Sequence, residues 1–138
     1  MATLEAFIDE LITVVSGVSG IRSVPNDPPN QIHSTPTVVI YSTIGRAKQA
    51  PPDVVTTWDD VTLAVLVPLT DLPRRNAQML QFRDSVPQAI YTALKDGTLT
   101  TMQDMREIEH TYGAVTWGGK EMFGYLFTIK SVKQQNVI

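Results

Sequence analysis

The last forty residues constrain this chain most. Met105 to Trp117 and Lys120 to Lys133 are two strand-like runs separated by Gly118-Gly119. A Gly-Gly pair suits the positive φ angles of a two-residue hairpin turn. Around that turn, facing positions sum to 237. Ile108 then faces Ile129, His110 faces Phe127, Tyr112 faces Tyr125 and Ala114 faces Phe123, all on one apolar side. Gly113 opposite Gly124 and Glu107 opposite Lys130 fall on the other side. A slip of one residue would mix the two faces, and matched aromatics and opposite charges stabilise paired strands. A four-residue loop would keep the same pairing, so the register is better specified than the turn.

The other elements are read from period and punctuation. Leu4, Phe7, Ile8, Leu11, Ile12, Val15 and Val18 recur at helical spacing, with Thr3 as N-cap, Glu5 in the first turn and stops at Gly17 and Gly20. Ile21 to Val24 reads as a short extended piece, followed by the turn-rich Pro25 to Asn30. Thr37 to Ile44 is β-branched and follows Pro36, which predicts a strand. Gly45 to Thr57 has no clean period and reads as a long exposed loop, the tip of a hairpin. Trp58 to Leu69 is a second strand, apolar on both faces and therefore central.

A second helix opens with Asp71 as cap and Pro73 in its first turn, and carries the stripe Met79, Phe82, Val86, Ile90 and Leu94. Pro87 removes a backbone donor, which predicts a kink or break near Arg83 to Val86, and Gly97 ends the helix. The sum is an α+β fold in one domain spanning 1–138: an antiparallel sheet of about four strands, two helices packed on one face, and a C-terminal β-hairpin. Two helices cover one sheet face, so the apolar residues on the other face predict surface left for a partner.

Composition excludes several classes of function. Hydrophobic residues make up 43% and charged residues 18%, an ordinary globular balance, and six of the nine prolines cluster between Pro25 and Pro52 as irregular loop. There is no cysteine, so disulfides, thiolate metal sites and Cys nucleophiles are excluded. No apolar run approaches the roughly 20 residues needed to span a bilayer, and no leader pattern opens the chain, so the reading is a soluble protein that needs no membrane. Net charge is −3 and the one basic doublet is Arg74-Arg75, which gives no footprint for tight nucleic-acid binding.

The search for chemistry is short. His33 and His110 are the two histidines, without HExxH or HxH spacing; His110 reads as a packed, hydrogen-bonded residue facing Phe127. Asp59 and Asp60 are strand neighbours and point to opposite faces. Glu107 and Glu109 share a face, either as a solvated sheet surface or as an acidic patch lining a pore or contact. Trp58 and Trp117 read as packing residues. Signatures for a nucleophile elbow, a P-loop and a dinucleotide fold are missing. The reading is therefore no catalytic residues, no metal and no cofactor: a structural subunit and not an enzyme.

The stretch YGAVTWGGKEMFGYLFTIKSVKQQ (Tyr112 to Gln135) resembles the closing hairpin of phage tail-terminator and tail-completion proteins of long-tailed phages. The order of the rest agrees: an amphipathic helix, a Gly20-Ile21-Arg22 turn, Thr35-Pro36 before VVIY, a long loop, a strand, and a helix with Phe82 to Ile90. The resemblance covers nearly the whole chain in layout, without sharp motifs. It implies a virion subunit made in the host cytoplasm that forms a ring, typically a hexamer, at the head–tail junction. Such a ring ends tail-tube polymerisation and offers a docking surface to the head–neck connector, while DNA passes through its lumen unread. On this reading Arg46, Lys48, Gln49 and Asp53 of the long loop would contact tube or neck partners, and Glu107 and Glu109 would face the lumen. Two other readings stay open: another neck component such as a connector or stopper, and a small cytoplasmic enzyme or ligand-binding domain with a deep polar pocket.

Overall fold

The computed structural model describes residues 3–32, 34–50 and 53–137, with the side chains of residues 50, 71, 72, 74 and 75 outside the description. His33, the proposed Asp71 cap and the Arg74-Arg75 side chains thus lie outside the described residues. Seven segments build the fold: α1 (Leu4–Ser16), β1 (Thr37–Ala50), β2 (Val54–Pro68), a single 3-10 turn (Leu69–Asp71), α2 (Leu72–Lys95), β3 (Glu107–Trp117) and β4 (Lys120–Val137). The strands form one sheet in the order β1-β2-β4-β3, antiparallel at every pair.

The hairpin follows the arithmetic of its sequence. β3 and β4 pair from Glu107↔Lys130 to Trp117↔Lys120, with Tyr112 opposite Tyr125 and Gly113 opposite Gly124. The turn has two residues, and Gly118 and Gly119 have φ of 59° and 77°, the left-handed pair a type I′ turn requires. Gly118 is needed for space as well: a Cβ there would sit 2.1 Å from the Asn30 carbonyl oxygen.

Both helices pack on one face of the sheet. Phe7, Leu11 and Val15 of α1 and Met79, Phe82, Val86 and Ile90 of α2 are buried against Val38, Ile40, Val61, Leu63, Val65, Val67, Phe127 and Ile129. Each of these side chains contributes on the order of 1.5–3 kcal/mol by leaving water. Thr3 caps α1 by accepting the Ala6 N–H at 3.1 Å. Glu10, half-buried on the same helix, accepts the backbone N–H and hydroxyl donors of both Thr100 and Thr101 at 2.5–3.1 Å. That carboxylate ties α1 to the connection between α2 and β3. Burial works against its charge, but the donors of Thr101 and Thr100 prevail and hold its carboxyl below the usual range.

Four expectations need correction. Gly45 to Thr57 is not a loop: β1 continues to Ala50 and β2 begins at Val54. Arg46, Ala47, Lys48 and Gln49 are all exposed, so this part of β1 has no buried face and no apolar alternation to betray it. Pro87 does not break α2, which runs continuously to Lys95; Val86 and Ile90 on either side are fully buried and clamp the helix across the missing donor. His110 is exposed, because the helices do not reach over β3, although its ring lies 5.7 Å and 6.3 Å from those of Tyr125 and Phe127. The second sheet face is covered in part by the chain itself. Val39, Ala64, Leu66 and Met122 form a small second core with Ile32 from the Pro-rich segment, Tyr41 and Trp117. The Trp117 indole N–H donates to the Pro29 carbonyl at 2.7 Å, which pins that segment across the sheet.

Candidate functional site

The sheet changes register along one line. β1 slips between Ser42 and Ile44, and β2 and β4 slip between Asp59 and Val61. Such bulges bend strands and increase their twist. Asp60 sits in the gap, where its carboxylate accepts Lys130 Nζ at 2.8 Å and the Ser131 N–H at 3.0 Å. Ser131 there has a positive φ of 56°. Burial opposes ionisation of Asp60, yet the Lys130 and Ser131 donors, with the charges of Lys130 and Arg106, hold its carboxyl below the usual range. Asp59 shifts the other way: burial and the neighbouring Asp60 charge raise its carboxyl. A side chain at Gly45 would not fit, because a Cβ would lie 2.1 Å from Asp59 Oδ1.

Beyond this line lies a distal ribbon of β1, β2 and the end of β4. Arg46 and Lys48 pair with Trp58 and Thr56, which in turn pair with Lys133 and Gln135. These residues share one face, by the strand period of two. The Arg46 guanidinium lies over the Trp58 ring, 4.7 Å from its centroid, a contact that holds the cation in place on an exposed surface. A small cleft of about 210 Å³ beside it is lined by Ile44, Arg46, Trp58, Asp60 and Ser131. Gln49 lies on the opposite face of β1, and Asp53 is exposed at the turn. Arg46 and Lys48 are therefore brought together, while Gln49 and Asp53 stand apart from them.

Glu107 and Glu109 lie at the other edge of the sheet, on β3, and share a face as expected. Arg106 Nε approaches Glu107 at 3.6 Å on the surface. The strand order places this acidic edge and the Arg46–Lys48 edge at opposite ends of the sheet.

Two open grooves flank the helices. One, about 560 Å³, lies between α1 and the Pro-rich segment and is lined by Glu5, Asp9, Asp27 and Tyr41. The other, about 470 Å³, lies between α1 and α2 and is lined by Val18, Ser85, Gln88 and Thr92. Neither is lined by a histidine among the described residues. Among the described residues, no three His, Asp or Glu side chains are placed to share a metal ion, and no helix is long and apolar enough to cross a membrane.

Sequence reasoning missed the bulge and its Asp60–Lys130 pair, since the two residues are 70 positions apart. The hint available was the Asp59-Asp60 doublet, which interrupts an otherwise apolar strand. Compared with known proteins, the chain matches no family model and no curated protein sequence.

Proposed function

We propose that this chain is a structural subunit of a phage tail, forming a ring that caps the tail tube, stops its growth and presents a docking surface to the head. The reading rests on the resemblance of the closing hairpin, and the observation that supports it best is the extended sheet. Its distal ribbon is exposed on both faces of β1 from Ile44 to Gln49, and among the described residues each outer strand has one side without a strand neighbour. A surface of that kind serves contact with other proteins rather than enclosure of a substrate. In this reading the ring and its tube and neck partners meet the ribbon that carries Arg46 and Lys48. DNA crosses the lumen without specific contacts, and no catalytic residue, metal or cofactor is required.

The test is made in particles. Gold-labelled protein should lie at the head–tail junction by electron microscopy, and phage lacking it should make tails of uncontrolled length that fail to join heads. Tails of normal length joined to heads in its absence would overturn the reading. Replacing Lys48 to Thr56 by a two-residue turn should leave a folded chain that no longer caps tubes.

A further inference from the structure

Each outer strand of the sheet has one side without a strand neighbour. On β1 that side is blocked at its start: Ser23 bridges Thr37, and the Val38 N–H donates to the Ser23 carbonyl. The groove lined by α1, Asp27 and Pro28 flanks the edge as far as Ser42. From Ile44 onward no described residue pairs with that side as a strand or bridge, and Ile44 is 68% exposed. Natural sheets rarely leave a long edge uncovered, because it templates pairing with another chain.

The two open edges carry opposite charges on the same sheet face. Arg46 and Lys48 stand two residues apart on β1, and Glu107 and Glu109 stand two apart on β3. Tracing the pairs across the sheet shows that they share a face: Arg46 with Trp58 and Lys133 beyond the bulge, and Glu107 with Lys130, Glu109 with Thr128 and Thr62 before it. Among the described residues, neither Arg46 nor Lys48 has a carboxylate partner. β1 and β3 also run in opposite directions, since three antiparallel pairs separate them. A second copy added to the β3 edge in the same orientation thus brings its β1 antiparallel to β3.

We propose that copies of this chain associate head to tail through these edges, with β3 of one copy pairing antiparallel with the distal part of β1 of the next, so that Glu109 faces Arg46 and Glu107 faces Lys48. In that register Ile108 and His110 face Ala47 and Gly45, small residues that leave room for them. Within one copy Glu107 is level with Lys130, Asp60 and Ile44. Setting it beside the next copy's Lys48 staggers neighbours by about four residues, roughly 13 Å at the strand rise. Stagger of this kind is what a sheet needs to close on itself, and a heterologous contact gives a ring where the rotation closes. The inference would supply the contact that the proposed ring requires, but it holds for any head-to-tail assembly.

The full chain is tested by sedimentation at low and high salt. It should associate with rising concentration, and less in high salt. The double variants R46E/K48E and E107K/E109K should each weaken association by about tenfold or more, and an equimolar mixture of the two should restore it. Because the chain has no cysteine, K48C/E107C offers a second readout: oxidation should yield covalent multimers between copies. A monomer at submillimolar concentration in low salt would overturn the proposal. So would indifference to charge reversal, failure of the cysteine pair to cross-link, or tighter association of R46A/K48A, which would make the cations guards of the edge. Solution association needs no tail tube, so a chain that associates but does not localise to the junction sinks the functional reading alone. A monomer that still caps tubes sinks this one alone.

Discussion

Replacing Glu10 by Gln tests how α1 is held to the rest of the fold. The carboxylate accepts four donors, two backbone N–H groups and two hydroxyls, from Thr100 and Thr101. An amide keeps one oxygen and turns an NH2 group toward donors, so about half of these bonds fail and the rest lose their charge assistance. A net hydrogen bond contributes about 0.5–1.5 kcal/mol, and more to a charged acceptor. The site is partly open to water, which lets the threonine donors recover part of that loss. The expected cost is about 2 kcal/mol at neutral pH, or roughly 6–10 °C in melting temperature for a domain near this size. The pH dependence follows from the lowered carboxyl. A group whose folded pKa is depressed stabilises fully above its unfolded value, here near 4.5, and loses that contribution as pH falls through the folded value. The gap between parent and E10Q should therefore hold from neutral pH to about 5 and shrink below 4.5. Urea unfolding followed by circular dichroism across that range measures it. A gap under about 0.5 kcal/mol at pH 7, or one that stays constant into strong acid, would refute the role assigned to this carboxylate.

Asp59→Asn should be neutral or stabilising by under about 1 kcal/mol at pH 7. It relieves a carboxyl raised by burial and by Asp60, and the gain should fade as pH falls through the Asp59 pKa, as thermal melts would read. Gly118→Ala should cost about 2–3 kcal/mol in chemical denaturation, combining a left-handed φ with the approach to the Asn30 carbonyl. Trp117→Phe should cost about 1 kcal/mol through the lost bond to Pro29, and residues 30–32 should exchange amide hydrogen faster while the hairpin stays protected.

The hairpin was legible in one dimension because its signal is local: two glycines, a register read by counting, and side chains that agree on both faces. The two helices were legible for the same reason, since Phe7–Leu11–Val15 and Phe82–Val86–Ile90 repeat at helical spacing whatever they pack against. The distal ribbon was not. Its β1 strand is held by backbone pairing to β2, and the β1 side chains from Ile44 to Gln49 meet water, so no alternation of apolar residues marks it. Whether Pro87 breaks a helix depends on the buried neighbours that clamp it, and whether His110 is packed depends on how far α2 reaches across the sheet. The cover over Ala64 and Leu66 comes from Ile32 and a bond to Pro29, and neither can be inferred from the strand that needs them. Arg46, Lys48, Glu107 and Glu109 could each be marked as polar and exposed in the chain. That the basic and acidic pairs lie on one face, at the two open edges of one sheet, follows from the strand order and the bulges, which are set by contacts between residues far apart along the backbone.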